Sequence, residues 1–264
     1  MSKLKPSRDT LISGIVRQIV FPALVILACW QLLSSVIGVS PLILPPPSAI
    51  YRAFFLEGRF GAHLPLIGVT VLRVAVAFSA AMVVGTLIGL LIGRSPVVRS
   101  AVYPIVKLLF PVPKVAFIPA LFLILGRGNP SIIGLGFIEA VFPVIVATAE
   151  RVLRTEKELV WSARSLGVSR GAELLVVYLP NALPAILAAG RFALLGAIIG
   201  VFFGEVLTTA GNGLGGALIN SYNLFDIHGL YMALILVCLG AVVSDFVYTR
   251  FRDRQLRWSA EGSR

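Results

Sequence analysis

Seven ionisable side chains, Arg73, Lys107, Lys114, Glu139, Arg191, Glu205 and Asp245, stand within long apolar runs of this 264-residue sequence. A charge in hydrocarbon costs several kcal/mol unless it is paired or faces water, so each marks a candidate route for an ion or polar solute. Lys107 and Lys114 would share one helical face if the prolines between them left the helix intact, and such a pair suits a path for an anion. The alternative is pairing across helices with Glu139 or Glu205. Arg73 and Asp245 fall near the ends of their runs, where snorkelling to the interface is expected. His63, alone before a run, reads as a capping or interfacial residue. Cys29 and Cys238 sit singly in apolar stretches as small hydrophobes, and no His/Cys cluster suggests a metal. No GxxxxGK[ST] phosphate loop occurs. An enzyme is therefore not expected, and neither is a cofactor or metal in this chain.

The elements that must position these groups follow from composition. Hydrophobic residues make up 58% and charged residues 13%, far from the balance of a soluble domain of this length. Helices of about 20 apolar residues cross a bilayer. The sequence predicts six of them, at about Ile19 to Val39, Leu64 to Gly93, Arg99 to Gly126, Ser131 to Ala149, Ala182 to Leu207 and Ile227 to Tyr248. The first is too long for a signal-peptide core and is read as retained. The third carries Pro104, Pro111, Pro113 and Pro119 and must bend or unwind. The glycines after Glu205, in GEVLTTAGNGLGG, permit a re-entrant or tightly turned segment.

The net charge of +11 has a topological explanation. With six spans, sixteen of the 23 Lys and Arg fall on the side of the N-terminus, among them Lys3, Lys5, Arg94, Arg99, Arg151, Arg154, Arg164 and Arg170. Only Arg52, Arg59 and Arg127 fall on the other side. The positive-inside rule then puts both termini in the cytoplasm, with no nucleic acid needed to account for the charge. The expected organisation is a cytoplasmic N-terminus over 1–18, a transmembrane domain over 19–251 with a cytoplasmic loop at 150–178, and a cytoplasmic tail over 252–264.

That loop carries its own helical pattern, TEKELVWSARSLGVSRGAELLVVYLP. Thr155 and Glu158 have capping-box spacing, and Leu159, Val160, Ala163 and Leu166 form an apolar face. Gly167 is placed to end the helix in the left-handed conformation. A helix lying on lipid headgroups would show the same spacing.

Here the chain resembles the transmembrane subunits of ABC importers. Their cytoplasmic signature has Glu-Ala-Ala, three residues, Gly, nine residues, then an aliphatic residue, any residue and Leu-Pro. Trp161, Ser162 and Ala163 take the first three places, Gly167 the Gly, Val177 the aliphatic place, and Leu179 and Pro180 the last two. Every spacing is kept, with Trp161 in place of the usual Glu and Ser162 in place of an Ala. The resemblance extends from Leu44 to Trp258, towards the branch serving nitrate, sulfonate, taurine and bicarbonate. It is carried by LPPPSAIYRAF, by His63 to Arg73, by Pro104, Pro113, Ala116 and Pro119, by LGRGNPS and FGEV, and by Asp245, Arg250 and Trp258. Lys107, Phe110 and Lys114 differ from what that branch has at their positions.

The resemblance implies an all-α membrane protein of six transmembrane helices with the type I ABC importer permease fold, in a bacterial inner (plasma) membrane. It implies a homodimer with two ATPase subunits that bind ATP and Mg, and a periplasmic or lipid-anchored binding protein that delivers a small anionic solute. The ATPase contact falls to Glu158, Trp161, Ser162, Ala163, Arg164, Leu166, Gly167, Ser169, Leu179 and Pro180. Lys107, Lys114, Glu139 and Glu205 are the candidates for the path. A stand-alone secondary transporter of a small anion is the alternative, and a membrane scaffold a third; no internal repeat of the kind common in secondary transporters is evident.

Overall fold

The computed structural model describes residues 21–36, 40–208 and 212–256, so the termini, with Lys3, Lys5 and Trp258, lie outside the described residues. The described residues contain helices and no strand. In chain order these are α1 (Phe21–Val36), α2 (Pro47–Tyr51), α3 (Phe60–Arg94), α4 (Pro96–Leu109), α5 (Ile118–Leu125), α6 (Asn129–Leu153), α7 (Lys157–Ser165), α8 (Leu179–Thr208), α9 (Leu214–Asn223) and α10 (Ile227–Gln255). A single 3₁₀ turn, Lys114–Phe117, precedes α5 and a π turn, Leu174–Tyr178, leads into α8.

Helices α3, α6, α10 and the segment Leu174–Thr208 are each long and apolar enough to cross a membrane. The expected third span is two arms, Pro96–Leu109 and Lys114–Leu125, bent by 102°. Pro111 and Pro113 account for the break, since they remove two donors within three residues from the helix ladder. The 16 residues of α1 rise about 24 Å, short of a hydrocarbon core of about 30 Å. The ends of the predicted first span, 19–20 and 37–39, lie outside the described residues. The expected re-entrant feature is α9, a helix of 10 residues between two spans.

The core is the packing of α3 and α8 on α6 and on each other, built from Ala77, Ala81, Ile132, Ala140, Val144, Ala149, Ala193, Ala197 and Val201. Water cannot drive helices together in lipid, so close approach must come from small residues. Gly85 lies on α6 so tightly that a Cβ there would come within 2.8 Å of Val144. At Gly200 the two backbones nearly touch, and a Cβ would stand 2.7 Å from the Gly136 Cα. The contacts advance together along α3 and α6 and run oppositely along α6 and α8. The bent α4–α5 segment thus returns the chain across the bundle between two parallel helices. Cys29 and Cys238 are on outward faces and not in the core.

Candidate functional site

At one end of the bundle the sequence from Arg151 to Pro180 builds a folded projection. α7 ends in a complete Schellman motif: the Val168 N–H donates to the Ala163 carbonyl at 3.1 Å and the Gly167 N–H to the Arg164 carbonyl at 2.9 Å. Gly167 has φ 81°, the left-handed conformation the spacing predicted. The N-terminus differs from expectation. Glu156 is the N-cap, without a side-chain cap, and no capping box forms. The Thr155 hydroxyl is turned away, within 3.5 Å of the Arg151 carbonyl and 2.9 Å from the donating Asn181 amide. Arg151 in turn donates to the Asn181 carbonyl at 3.1 Å and its side-chain oxygen at 2.9 Å, closing the two ends of the loop on each other.

The expected apolar face of α7 is divided. Val160 and Ala163 are buried, whereas Leu159, Trp161 and Leu166 face outward, Trp161 at 58% and Leu166 at 85% exposure. Glu158, Ser162 and Ser169 are also exposed. Glu158, Trp161, Ser162, Ser165 and Leu166 line one shallow surface depression. Leu179 and Pro180 begin α8 and so lie at the foot of the projection. Arg164 is half-exposed but turned to Glu173: its Nε donates to that carboxylate at 2.7 Å, and Arg94, the last residue of α3, reaches the same group at 3.1 Å. The Glu173 side chain is wholly buried. The hydrogen bond from Arg164 holds its carboxyl below the usual glutamate range, and the fields of Arg164, Arg94 and Arg170 act in the same direction. Glu173 went unnoticed in the sequence, and Arg94 was read only as a basic residue of a turn, because nothing local pairs a residue at the end of one span with one in a loop two spans further on.

At the other end a buried polar network joins four helices. Arg73 does not snorkel. It is 5% exposed and donates to Glu205 at 2.7 Å, to the Asn129 side chain at 2.6 and 2.9 Å and to the Asn212 carbonyl at 2.7 Å. Glu205 accepts from the Thr70 hydroxyl at 2.9 Å and from the Gly215 N–H at 2.9 Å, and Leu214 N–H donates to Thr70 at 2.9 Å. The carboxylate thus sits at the N-terminus of α9, where the free backbone donors and helix dipole favour an anion. Gly213, with φ 101°, packs directly against Glu205, leaving no room for a Cβ. Glu205 is therefore held inside protein, its carboxylate wholly engaged by Arg73, Thr70 and Gly215. Asp245 does not snorkel either: Arg191 binds it in a bidentate pair at 2.6 and 2.8 Å, tying α8 to α10.

The two lysines are not brought onto one helical face, because α4 stops before Lys114. Lys107 lies over the Tyr103 ring at 4.4 Å, and Lys114 donates to the Phe110 carbonyl at 2.6 Å with its Nζ near the Phe110 and Phe142 rings. Neither forms an ion pair with Glu139 or Glu205 among the described residues. His63 is close to the Arg59 carbonyl at 3.1 Å and stacks on Phe54.

The described residues thus form a helical bundle with several helices apolar enough to cross a membrane, buried ionic ties and a basic loop at one end. Residues 81–257 match the family of binding-protein-dependent transport system inner membrane components. The chain belongs to that family. It is 32% identical over 178 residues to the taurine transport system permease protein TauC of Escherichia coli (strain K12), a match covering 64% of each chain, just under two thirds of TauC. It is 30% identical to the nitrate import permease protein NrtB of Synechocystis sp., over 84% of this chain and 82% of NrtB. A putative aliphatic sulfonates transport permease protein, SsuC of Bacillus subtilis, is 27% identical over 96% of this chain and 91% of its own. Membership of a binding-protein-dependent family sets aside the stand-alone secondary transporter.

Proposed function

We propose that this chain is the membrane subunit of an ATP-driven importer for a small anionic solute of the nitrate, sulfonate, taurine or bicarbonate type. It works as a homodimer over two ATPase subunits, which bind ATP and Mg, and receives its solute from a binding protein. Both termini and the 150–178 loop face the cytoplasm. The observation that carries this is the outward face of α7: Glu158, Trp161, Ser162 and Leu166 stand on a helix anchored at both ends, an apolar surface with polar edges that needs a protein partner. Arg164 ties that helix to Glu173, Leu179 and Pro180 begin the span that follows the loop, and Ala163 and Gly167 set the helix's packing and its end. Lys107, Lys114 and Glu139 remain the residues through which a path would act on an anion.

The test is co-expression with the ATPase and binding protein of the same transport system, followed by reconstitution in vesicles. ATP-dependent, binding-protein-dependent uptake of one of these anions, with the ATPase retained in detergent, is the expected result. Uptake driven by a proton or sodium gradient in the absence of the ATPase would refute it.

A further inference from the structure

The α7 projection has a single ionic attachment to the transmembrane bundle among the described residues. Glu173 is wholly buried between Arg164, on α7, at 2.7 Å and Arg94, the final residue of α3, at 3.1 Å. The Arg94 guanidinium also lies 5.8 Å over the Tyr178 ring, at the turn entering α8. One carboxylate therefore joins the loop helix to the end of a 35-residue span, and that span is packed along its length against α6 through Gly85 and Gly89. A displacement of α7 that left α3 behind would separate the buried Glu173 carboxylate from Arg94, one of its two partners, which is unfavourable.

We propose that the Arg94–Glu173–Arg164 clamp is the link through which movement of α7 is transmitted to α3, making Glu173 and Arg94 positioning residues for coupled transport. The proposal rests on reading α7 as the ATPase contact. The two arms of the clamp have different duties: Arg164 to Glu173 holds the loop to itself, and Arg94 to Glu173 holds the loop to the bundle. They can be cut separately.

Arg94→Gln in the reconstituted complex removes the second arm and leaves the first intact. The ATPase should stay bound and hydrolyse ATP at near its normal rate, while solute imported per ATP falls by about tenfold. Arg94→Lys, which keeps the charge, should recover most of that ratio. A merely structural role for Arg94 would lower both activities together with thermal stability and leave their ratio unchanged. Unaltered import by Arg94→Gln, an unaltered ratio, or loss of the ATPase from that variant would overturn the clamp. The underlying reading fails separately: if Ser162→Cys in an otherwise unaltered complex gives no cross-link to the ATPase, α7 is not its contact, whatever Arg94→Gln does.

Discussion

Gly167 shows how one backbone conformation can control a surface. Its φ of 81° strains any residue bearing a Cβ by about 1 kcal/mol or more, and no neighbour lies close enough to obstruct one. Gly167→Asp should therefore insert normally yet lose the end of α7 and with it coupled transport; normal uptake by that variant would count against the role given to this helix. At Glu173 the sign of a pH effect is fixed by its lowered pKa. A carboxyl depressed in the folded state adds stability above its unfolded pKa and loses it as pH falls through the folded one. The loop should resist protease at neutral pH and open only as the pH falls below the usual value of 4.5, whereas Glu173→Gln should be cleaved even at neutral pH. Lys107 provides a contrast. Its ring contact is worth about 0.5–1 kcal/mol at most on an outward face, so Lys107→Gln should leave thermal stability nearly unchanged and lower uptake if the charge serves the path.

At the scale of elements, close approach of backbones and buried ion pairs do the joining that water does elsewhere. Gly200→Val would force α8 off α6, because the added carbon falls on the Gly136 backbone; overpacking of this kind costs about 1–3 kcal/mol or more. A lowered thermal midpoint in detergent should report it. α9 depends on a tertiary cap, with Glu205 and Thr70 accepting from its first N–H groups. Glu205→Gln removes the charge opposite Arg73 and should cost about 3–5 kcal/mol, read as a fall in thermal stability. A stable Glu205→Gln protein with altered transport would instead return Glu205 to the path.

For the whole molecule, the ends of the bundle differ in chemistry. Arg94, Arg99, Arg151, Arg154, Arg164 and Arg170 collect around the α7 end, whereas at the other end Arg73 is matched by Glu205 among Asn129 and Asn212. A Ser169→Cys protein should accordingly be labelled by a membrane-impermeant thiol reagent only from the cytoplasmic side and an Asn212→Cys protein only from outside. The opposite pattern would invert the topology.

Runs of apolar residues, the proline-broken third segment, the loop helix and its glycine end were all legible from neighbours within one or two turns, because hydropathy and backbone conformation are local properties. The spacing from Trp161 to Pro180 placed the loop for the same reason. The partners of the charges were not legible. Arg73 and Asp245 looked like snorkelling ends until the packing of α3 on α6 and α8 put Arg73 beside Glu205, 132 positions away, and α10 put Asp245 beside Arg191. Lys107 and Lys114 would share a face only in an unbroken helix, and the prolines that the sequence marked as a break end α4 before Lys114, at a bend of 102°. Sequence by itself determined which segments are apolar enough to cross a membrane and where the chain breaks off to fold a projection. Only the tertiary structure decided which buried charges neutralise one another, because a charge in a low-dielectric interior is stabilised by whatever lies within a few ångströms in space and not by its neighbours along the chain.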